Sequence, residues 1–264
     1  MKLAILDHHL QVPDTEVFTV VRRLGLDGVE LGVGLYRLEG HPLLQPDGPA
    51  TLRQRAEAQG VAIASVSAGF LRQCAPGEEA RQRSVEVVAR LLEACAEAGV
   101  PMLHLPVDAV CERPREGCRL REWLGPLAER SAALGVVLAV ELLRPVAEVC
   151  RRLEALPGAA VRVAYDVGNA RAAGQDEVAE LRLLGTRLGQ VRLKDRERRE
   201  PFAGVPLGEG AVNVRAVFAA LGAIGYRGWG VLDAPAGDDP LTSAQKNATY
   251  ARTLLAEAEA NTPA

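Results

Sequence analysis

Charged residues end four apolar runs in the second half of the chain. The runs are VVLAVE, VRVAYD, GQVRLKD and YRGWGVLD, and their last residues are Glu141, Asp166, Asp195 and Asp233. A buried parallel strand is a nearly continuous run of apolar residues, so packing does not explain a carboxylate at its end. In a parallel α/β barrel, the C-terminal ends of all strands surround one mouth, where the chemistry takes place. The pattern therefore predicts an active site built from the charged ends of these strands.

Strand-like runs alternate with helical patterns along the whole chain. The predicted strands are 2–6, 28–32, 61–67, 102–107, 136–141, 161–166, 190–195 and 229–233. The predicted helices are 14–24, 50–59, 78–98, 119–134, 145–155, 175–186, 213–224 and 241–260. This alternation implies parallel pairing with right-handed crossovers, and a count of eight favours a closed barrel over an open sheet. We therefore predict an α/β protein, a (β/α)8 TIM barrel that forms a single domain over residues 1–264.

Length, charge, cysteine content and apolar runs disfavour DNA-binding, secreted and membrane proteins. The length of 264 residues suits a single barrel of this kind. The net charge of −3 argues against a protein that binds duplex DNA. The five cysteines include no CxxC pair, which is typical of a reducing compartment. The N-terminal segment MKLAILDHHL is too short and too charged for a signal peptide, and no apolar run approaches the ~20 residues that cross a bilayer. We expect a cytoplasmic protein that binds neither nucleic acid nor membrane.

Several short segments, in this order, extend over nearly the whole chain: DGVELG, VEL, YDVGNA, VRLKDR and PLGEGAVNVRAVFAALGAIGYRGWGVLD. In order and spacing they resemble the xylose isomerase-like TIM-barrel superfamily, which includes sugar isomerases, ketose 3-epimerases and endonuclease IV-type enzymes. The resemblance implies an isomerase or epimerase of a sugar or sugar phosphate, with a small carbohydrate as its partner. It leaves open whether the protein forms a homo-oligomer.

The resemblance also implies a divalent metal, such as Mn, Mg, Co or Zn. Epimerase-like members hold it with Glu on strand five, Asp on strand six, His on strand seven and Glu on strand eight. Glu141 and Asp166 match the first two positions, whereas Arg192 replaces the His and Asp233 replaces the second Glu. The family's D-x-x-H on strand six is here D-x-x-N, with Asn169 as its last residue. The implied metal ligands are therefore Glu141, Asp166 and Asp233.

Moving a proton on the carbon next to a carbonyl requires one group to remove it, another to return it, and a third to stabilise the enediolate oxygen. The resemblance makes Glu141 and Asp233 the candidates for the proton-transfer pair. Two carboxylates about 4 Å apart repel by about 4 kcal/mol at an effective dielectric constant of about 20. Three of them in one mouth therefore need a cation. A divalent metal with oxygen ligands would serve, and so would Arg192 and Lys194.

Five residues are candidates for substrate contacts. Arg192 and Lys194 have the same parity on their strand, so both face the same side, and they could instead bind a phosphate or carboxylate of the substrate. Glu30 in GVELG contacts a substrate hydroxyl or forms a structural ion pair. His104 is a substrate ligand, a replacement metal ligand or a core residue. Asn169 takes the place of the family's histidine.

Other functions are compatible with the same residues. A lyase or dehydratase would use Lys194 as a base or a Schiff-base nucleophile. A non-catalytic sugar-binding relative would close the metal site with a salt bridge from Arg192. One of His8 and His9, which follow the first strand, could reach the mouth. A DNA-repair role is disfavoured, because endonuclease IV-like members need several metal-binding histidines and this chain has four histidines in total.

Overall fold

Parallel strands form a closed barrel in this protein. The structure is a computed structural model, and it describes residues 1–34, 38–73, 78–108, 120–154, 156, 160–200 and 203–260. Within these residues the barrel has eight strands: β1 (Lys2–Leu6), β2 (Gly28–Gly32), β3 (Ala62–Ser67), β4 (Met102–Pro106), β5 (Val137–Glu141), β6 (Val161–Asp166), β7 (Leu188–Leu193) and β8 (Trp229–Leu232). The predicted (β/α)8 TIM barrel is confirmed.

Helices surround the barrel. They are α1 (Val17–Arg23), α2 (Gly48–Gln59), α3 (Glu78–Ala98), α4 (Leu120–Leu134), α5 (Val146–Glu154), α6 (Val167–Ala172), α7 (Glu177–Leu184), α8 (Val214–Ala223) and α9 (Pro240–Ala260). Short 3-10 turns lie at Asp7–His9, Pro42–Leu44, Gly69–Gln73 and Gly185–Arg187. None of the described helices combines the length and the apolar character that a membrane crossing requires.

Each strand pairs with its neighbours in the sequence, and β8 closes the barrel against β1. The closing pair runs in register from Lys2 opposite Trp229 to Ile5 opposite Leu232. Consequently the residues that follow β1 and β8 emerge side by side at the C-terminal end of the barrel. This matters for the site, because both segments carry an aspartate there.

Successive side chains along each strand point alternately outward, into the core between the strands and the helices, and inward, into the barrel interior. Leu3 and Ile5 belong to the large apolar cluster that also contains the buried helix residues. Ala4 and Leu6 belong to a small separate cluster with Ala64 and Val231. Small apolar side chains thus fill one part of the interior. The inward positions nearer the C-terminal ends of the strands carry polar and charged residues instead: Glu30, Ser65, His104, Glu141, Asp166, Gln190, Arg192 and Asp233.

The predicted element boundaries agree with the structure to within a few residues. The largest difference among the strands is β7, which spans 188–193 rather than 190–195. Asp195 instead begins a short antiparallel pair, Asp195–Arg196 with Gly204–Val205. Neither this pair nor the short helix α6 was predicted, since two-residue strands and a six-residue helix are too brief to show a periodic pattern. Cys95 and Cys150 are buried free thiols, and Cys74, Cys111 and Cys118 lie outside the described residues.

Candidate active site

A cavity of about 450 Å³ opens at the C-terminal end of the barrel. Its volume falls within the range of small-molecule sites in proteins. Charged, polar, glycine and aliphatic residues form its wall, at or just beyond the ends of strands on the β1–β3 and β7–β8 side: Leu6, Asp7, His8, Gly32, Val33, Gly34, Ser67, Gly69, Arg72, Gln73, Arg192, Lys194 and Asp233.

Arg192 extends from β7 into the centre of the barrel and is almost fully buried. Its Nη2 lies 2.9 Å from Oδ2 of Asp233, and its Nη1 donates to Oε1 of Glu30 at the opposite end of the guanidinium. Its Nε lies 3.8 Å from Oε2 of Glu141. Burial alone would lower the pKa of Arg192, but these three carboxylates raise it well above its usual range. Arg192 is therefore a permanent cation that joins strands β2, β5, β7 and β8.

Lys194, the residue after β7, is the second fixed cation. Its Nζ lies 3.0 Å from Oδ2 of Asp166 and 2.7 Å from Oδ2 of Asp233. Burial would lower the pKa of Lys194, but the two aspartates raise it. The lysine stem passes so close to Gly168 that a Cβ there would lie 2.8 Å from Cγ of Lys194. The glycine of YDVGNA thus makes room for the ammonium group between the two carboxylates.

Three side chains contact the carboxylate of Asp233, namely Arg192, Lys194 and His9. Oδ2 accepts from Nε and Nη2 of Arg192 and forms an ion pair with Nζ of Lys194, and Oδ1 lies 2.7 Å from Nε2 of His9. Burial would raise the pKa of this carboxyl group, but Arg192 and Lys194 hold it well below its usual range. Asp233 is therefore a carboxylate at neutral pH, and it faces the cavity.

Glu141 lies behind Arg72. Arg72, on the turn after β3, donates through Nη2 to both oxygens of Glu141, at 2.9 and 3.0 Å. His104 lies 2.8 Å from Oε2, and the side-chain amide of Asn169 donates to Oε1 at 3.3 Å. Burial would raise the pKa of Glu141, but Arg72 and His104 hold it well below its usual range. Glu141 is charged, and Arg72 separates it from the cavity.

His104 is fully buried between three polar groups. Nε2 faces the Glu141 carboxylate, so it carries the proton and donates. Nδ1 then accepts from the hydroxyl of Ser67 at 2.9 Å and faces Nη1 of Arg192 at 3.3 Å. The Nδ1 lone pair is shared between these donors, so His104 does not act as a free base toward Ser67. The ring instead fixes the positions of Glu141 and Arg192.

Glu30 lies beneath the cavity and is fully buried. Its Oε2 accepts from the Ser65 hydroxyl at 2.7 Å and from the Gln190 amide at 3.0 Å, while Oε1 accepts from Arg192. Burial would raise the pKa of Glu30, but the charge of Arg192 and the hydrogen bonds from Arg192 and Ser65 lower it. The structure places this residue in a structural ion pair, the second of the two roles that the sequence left open.

Asp166 caps the helix that follows it. Its Oδ1 accepts from the backbone N–H of Asn169 at 2.8 Å, which satisfies one of the free donors at the start of α6. Its Oδ2 accepts from Lys194. The Asn169 side chain is also engaged, since its Oδ1 accepts from Arg196 and its amide donates to Glu141. Asp166 and Asn169 therefore line a small neighbouring recess rather than the main cavity.

The implied metal site can be tested against this geometry. The ammonium of Lys194 already lies between Asp166 and Asp233, and Arg192 contacts Asp233 and approaches Glu141. A divalent ion about 4 Å from a unit positive charge is repelled by about 8 kcal/mol at an effective dielectric constant of about 20. Two such cations stand beside these carboxylates. The side chains present therefore do not fit a divalent metal held by Glu141, Asp166 and Asp233.

In the described part of the chain, one group of potential ligands does gather within 4.8 Å, namely His8, His9 and Asp233. Asp233 already accepts from His9 on one oxygen and from Arg192 and Lys194 on the other. An ion at this carboxylate would again lie beside both cations. This group, too, does not fit a divalent metal.

The structure brings the predicted site residues into one connected network, but it distributes them unequally around the cavity. Arg192, Lys194 and Asp233 line it. Glu30, His104, Glu141, Asp166 and Asn169 lie below or beside it, behind the residues that do. The acidic end of GQVRLKD is the exception, because Asp195 belongs to a separate cluster.

Sequence reasoning missed Arg72 and Asp7, both on the cavity wall. Asp7 carried a readable signal, since KLAIL followed by Asp is another apolar run that ends in a carboxylate. Arg72 carried none, because it lies five residues beyond β3 in the segment GFLRQ. The sequence left open whether one of the two histidines after β1 reaches the mouth. His8 lines the cavity, and Nε2 of His9 contacts Asp233.

Asp195 organises the loop that follows β7. Its carboxylate accepts from the backbone N–H groups of Arg196, Gly208, Gly210 and Val212 at 2.8–3.0 Å. A Cβ at position 210 would lie 2.2 Å from Oδ1 of Asp195. The loop backbone can therefore come close enough to donate to this carboxylate only because residue 210 is glycine. A fully buried carboxylate with four backbone donors is a structural anchor.

Asp195→Asn is expected to destabilise the protein by about 2–4 kcal/mol. The amide keeps a single acceptor oxygen and turns an N–H₂ group toward backbone donors, which leaves buried donors unsatisfied at about 1–3 kcal/mol each. Urea unfolding at pH 7 measures the change. Asp238→Asn, at an exposed aspartate, is the matched control and should remain within about 0.5 kcal/mol of the parent protein. Equal urea midpoints for the two variants would contradict this role of Asp195.

Solved structures of sugar epimerases have the same fold. A D-psicose 3-epimerase from Clostridium cellulolyticum H10, crystallised with D-tagatose, superposes with a TM-score of 0.78 at 19% identity, over 97% of this chain and 99% of that one. The 3-keto-D-glucoside 4-epimerase YcjR from E. coli superposes with a TM-score of 0.80 at 21% identity, over 96% and 99%. At these identities the likeness shows the fold alone.

Sequence comparison gives a nearer relative. The chain is 32% identical over 164 residues to a protein of Escherichia coli (strain K12) that is provisionally named L-ribulose-5-phosphate 3-epimerase SgbU. The aligned region covers 57% of each chain, so this protein spans little more than half the length of that curated relative. A sequence profile described as xylose isomerase-like TIM barrel matches residues 18–254. The chain therefore belongs to the family of xylose isomerase-like TIM barrels.

Proposed function

We propose that the protein is an epimerase or isomerase of a ketose or ketose phosphate, which moves a proton on the carbon next to the carbonyl. The observation that carries the proposal is the position of Asp233. Its carboxylate faces a cavity of about 450 Å³ between two fixed cations, Arg192 and Lys194. Family membership and the names of the similar proteins, among them L-ribulose-5-phosphate 3-epimerase and D-psicose 3-epimerase, support the substrate class.

Asp233 removes the proton in this mechanism. As the carbon–hydrogen bond breaks, negative charge leaves the carboxylate and develops on the carbonyl oxygen of the substrate. Arg192 and Lys194 adjoin the carboxylate and also line the cavity, so the same two cations neutralise the charge before and after it moves. Preorganised cations at the site of developing charge are among the largest contributions to catalysis. In this proposal they take the part that the family resemblance assigns to a metal.

Glu141 is the proposed second proton-transfer group, as the sequence predicted. It ends β5, and two strands, β6 and β7, separate it from β8 around the barrel. The two carboxylates therefore approach a bound sugar from different sides, which an epimerase requires. Arg72 now covers Glu141, but its side chain is 43% exposed and lies on a surface turn. We propose that Arg72 turns toward a substrate oxygen and uncovers Glu141.

The structure disfavours one of the two rival functions, the lyase, and is compatible with the other, the sugar-binding protein. A lyase that forms a Schiff base needs a neutral amine, whereas Asp166 and Asp233 raise the pKa of Lys194 and keep it charged. A sugar-binding protein without activity remains the second candidate. Arg192 bridges Glu30 and Asp233, as expected if a salt bridge had closed the site.

Exchange of substrate hydrogen with solvent separates these two functions. The protein is incubated in D₂O with D-psicose, D-fructose, D-tagatose, L-ribulose or L-ribulose 5-phosphate, and the sugars are followed by NMR. We expect deuterium to appear next to the carbonyl of at least one ketose, together with its epimer or isomer. Stabilisation of the protein by a ketose, measured as a rise in Tm without any deuterium uptake, would favour the sugar-binding alternative and contradict the proposed activity.

A further inference from the structure

A second aspartate lines the cavity at the end of the neighbouring strand. Asp7 follows β1 directly, as Asp233 follows β8, and these two strands pair in parallel register. Both aspartates belong to the cavity wall, together with Arg72, Arg192 and Lys194. A substrate in the cavity would therefore meet two carboxyl groups that project from adjacent strand ends.

Asp7 is positioned by the backbone of β2. The N–H of Gly32 donates to Oδ1 of Asp7 at 3.0 Å. A Cβ at Gly32 would lie 3.1 Å from that oxygen and 3.3 Å from Cδ1 of Leu6, so the absence of a side chain leaves room for the carboxyl group. No ion pair of Asp7 occurs within the described part of the chain. Asp7 is thus fixed in place without being neutralised.

The surroundings of the two aspartates differ in charge. Arg192 and Lys194 contact Asp233 directly. The charged groups that act most on Asp7 are Glu30 and Asp14, both acidic. Burial, together with these acidic neighbours, raises the pKa of Asp7 to about 7, whereas the cations keep the pKa of Asp233 well below its usual range. Two carboxyl groups with such separated environments divide into one acid and one base.

We propose that Asp7 is the catalytic acid that protonates the carbonyl oxygen of the ketose and later takes this proton back. The inference rests on the proposed function and adds a residue that neither the family resemblance nor the sequence patterns assigned. Asp7 touches the substrate in this role, because it lines the same cavity as Arg192 and Lys194, the cations that would surround that oxygen.

The proton and electron balance of the step is complete. Asp233 takes the proton from the carbon next to the carbonyl, and the electrons of the broken carbon–hydrogen bond form the carbon–carbon double bond. The carbonyl π electrons form an oxygen–hydrogen bond with the carboxyl proton of Asp7, which becomes a carboxylate. The resulting enediol is neutral. Collapse of the enediol returns the oxygen proton to Asp7. In epimerisation the carbon receives a proton that Glu141 has taken from solvent once Arg72 has turned away, which leaves Glu141 a carboxylate again. Asp233 then releases its proton to solvent, so each group ends in its starting state.

The test compares Asp7→Asn with the parent protein on the ketose that gives the fastest exchange. Asparagine keeps the acceptor for the Gly32 N–H but cannot donate an acidic proton. We expect kcat/KM at pH 7 to fall by about 10²–10³-fold, chiefly through kcat. In the parent protein kcat/KM should decline as the pH rises through about 7, because Asp7 loses its proton there, and this decline should be absent in Asp7→Asn.

Two further variants distinguish catalysis from structure. Asp7→Glu restores a carboxyl group, so it should recover part of the activity and the decline with pH. Asp238→Asn, at an exposed aspartate outside the cavity, should match the parent protein. Full activity in Asp7→Asn, or reduced activity with an unchanged pH profile, would overturn the role of Asp7. A parent protein that exchanges no ketose hydrogen would overturn the proposed function itself, and the role of Asp7 with it.

Discussion

Arg192→Met is expected to lower the free energy of unfolding by about 3–5 kcal/mol, the typical cost of removing one partner from a buried ion pair. The variant leaves Glu30, which is fully buried, with hydrogen bonds from Ser65 and Gln190 but no countercharge. Urea unfolding at pH 7 measures the loss. Arg130→Met is the matched control, because Arg130 and Glu93 form a pair that is about half exposed and worth about 1 kcal/mol or less.

A second substitution identifies the cause. Glu30→Gln in the Arg192→Met background removes the uncompensated charge, so the double variant should recover part of the lost stability. A loss in Arg192→Met as small as that of Arg130→Met would contradict the central ionic role of Arg192. Failure of Glu30→Gln to restore any stability would show that lost packing, rather than the buried charge, dominates.

The pH dependence has a definite sign. In the parent protein the pKa of Glu30 is lower in the folded state than the value of about 4.3 expected for the unfolded chain. Its contribution to stability is therefore complete above that value and is lost as the pH falls through the folded-state pKa. In Arg192→Met, burial raises the pKa of Glu30 and no guanidinium opposes it. Protonation of Glu30 as the pH falls should therefore remove the buried charge that destabilises the variant. The stability difference between the two proteins should shrink as the pH falls from 7 toward 4.

Asp233→Asn is expected to reduce deuterium uptake by the substrate by about 10²–10⁴-fold, the usual contribution of a general base. The amide oxygen still accepts from Arg192 and Lys194, so the cavity keeps its shape, but the group can no longer bind the carbon-bound proton. NMR of the ketose in D₂O measures the uptake. Asp238→Asn serves again as the exposed control and should exchange at the parent rate.

Binding must be measured beside the rate. A ketose should raise the Tm of Asp233→Asn as it does that of the parent protein, which would show that the loss lies in chemistry. Exchange at the parent rate in Asp233→Asn would exclude Asp233 as the base and would direct attention to Asp7 and Glu141, the other proposed proton-transfer groups.

The barrel could be predicted because each strand is a short, mostly apolar run of four to six residues and each long helix ends before the next run. The convergence of Glu141, Asp166, Arg192 and Asp233 could be predicted for the same reason. Strand parity fixes which residues point inward, and parallel strands bring their C-terminal ends to one mouth.

The pairing of these charges could not be predicted. Arg192 has a long side chain, and its hydrogen bonds to Glu30 and Asp233 depend on positions that only the closed barrel defines. Arg72 comes from a turn with no periodic pattern, yet it determines that Glu141 is covered. Asp195 ends an apolar run like the other acids, but the strand ends two residues earlier, so its carboxylate serves the loop.

Two fixed cations in the position expected of a metal are the central claim, and chelation tests it most directly. The protein is treated with excess EDTA, its metal content is measured, and deuterium uptake by the best ketose is recorded before and after addition of Mn²⁺, Mg²⁺, Co²⁺ or Zn²⁺. We predict uptake at the same rate in the metal-free protein and no stimulation by any of the four ions. Loss of uptake on chelation, with recovery on addition of one ion, would show that a metal displaces Lys194 or Arg192 and would contradict the account.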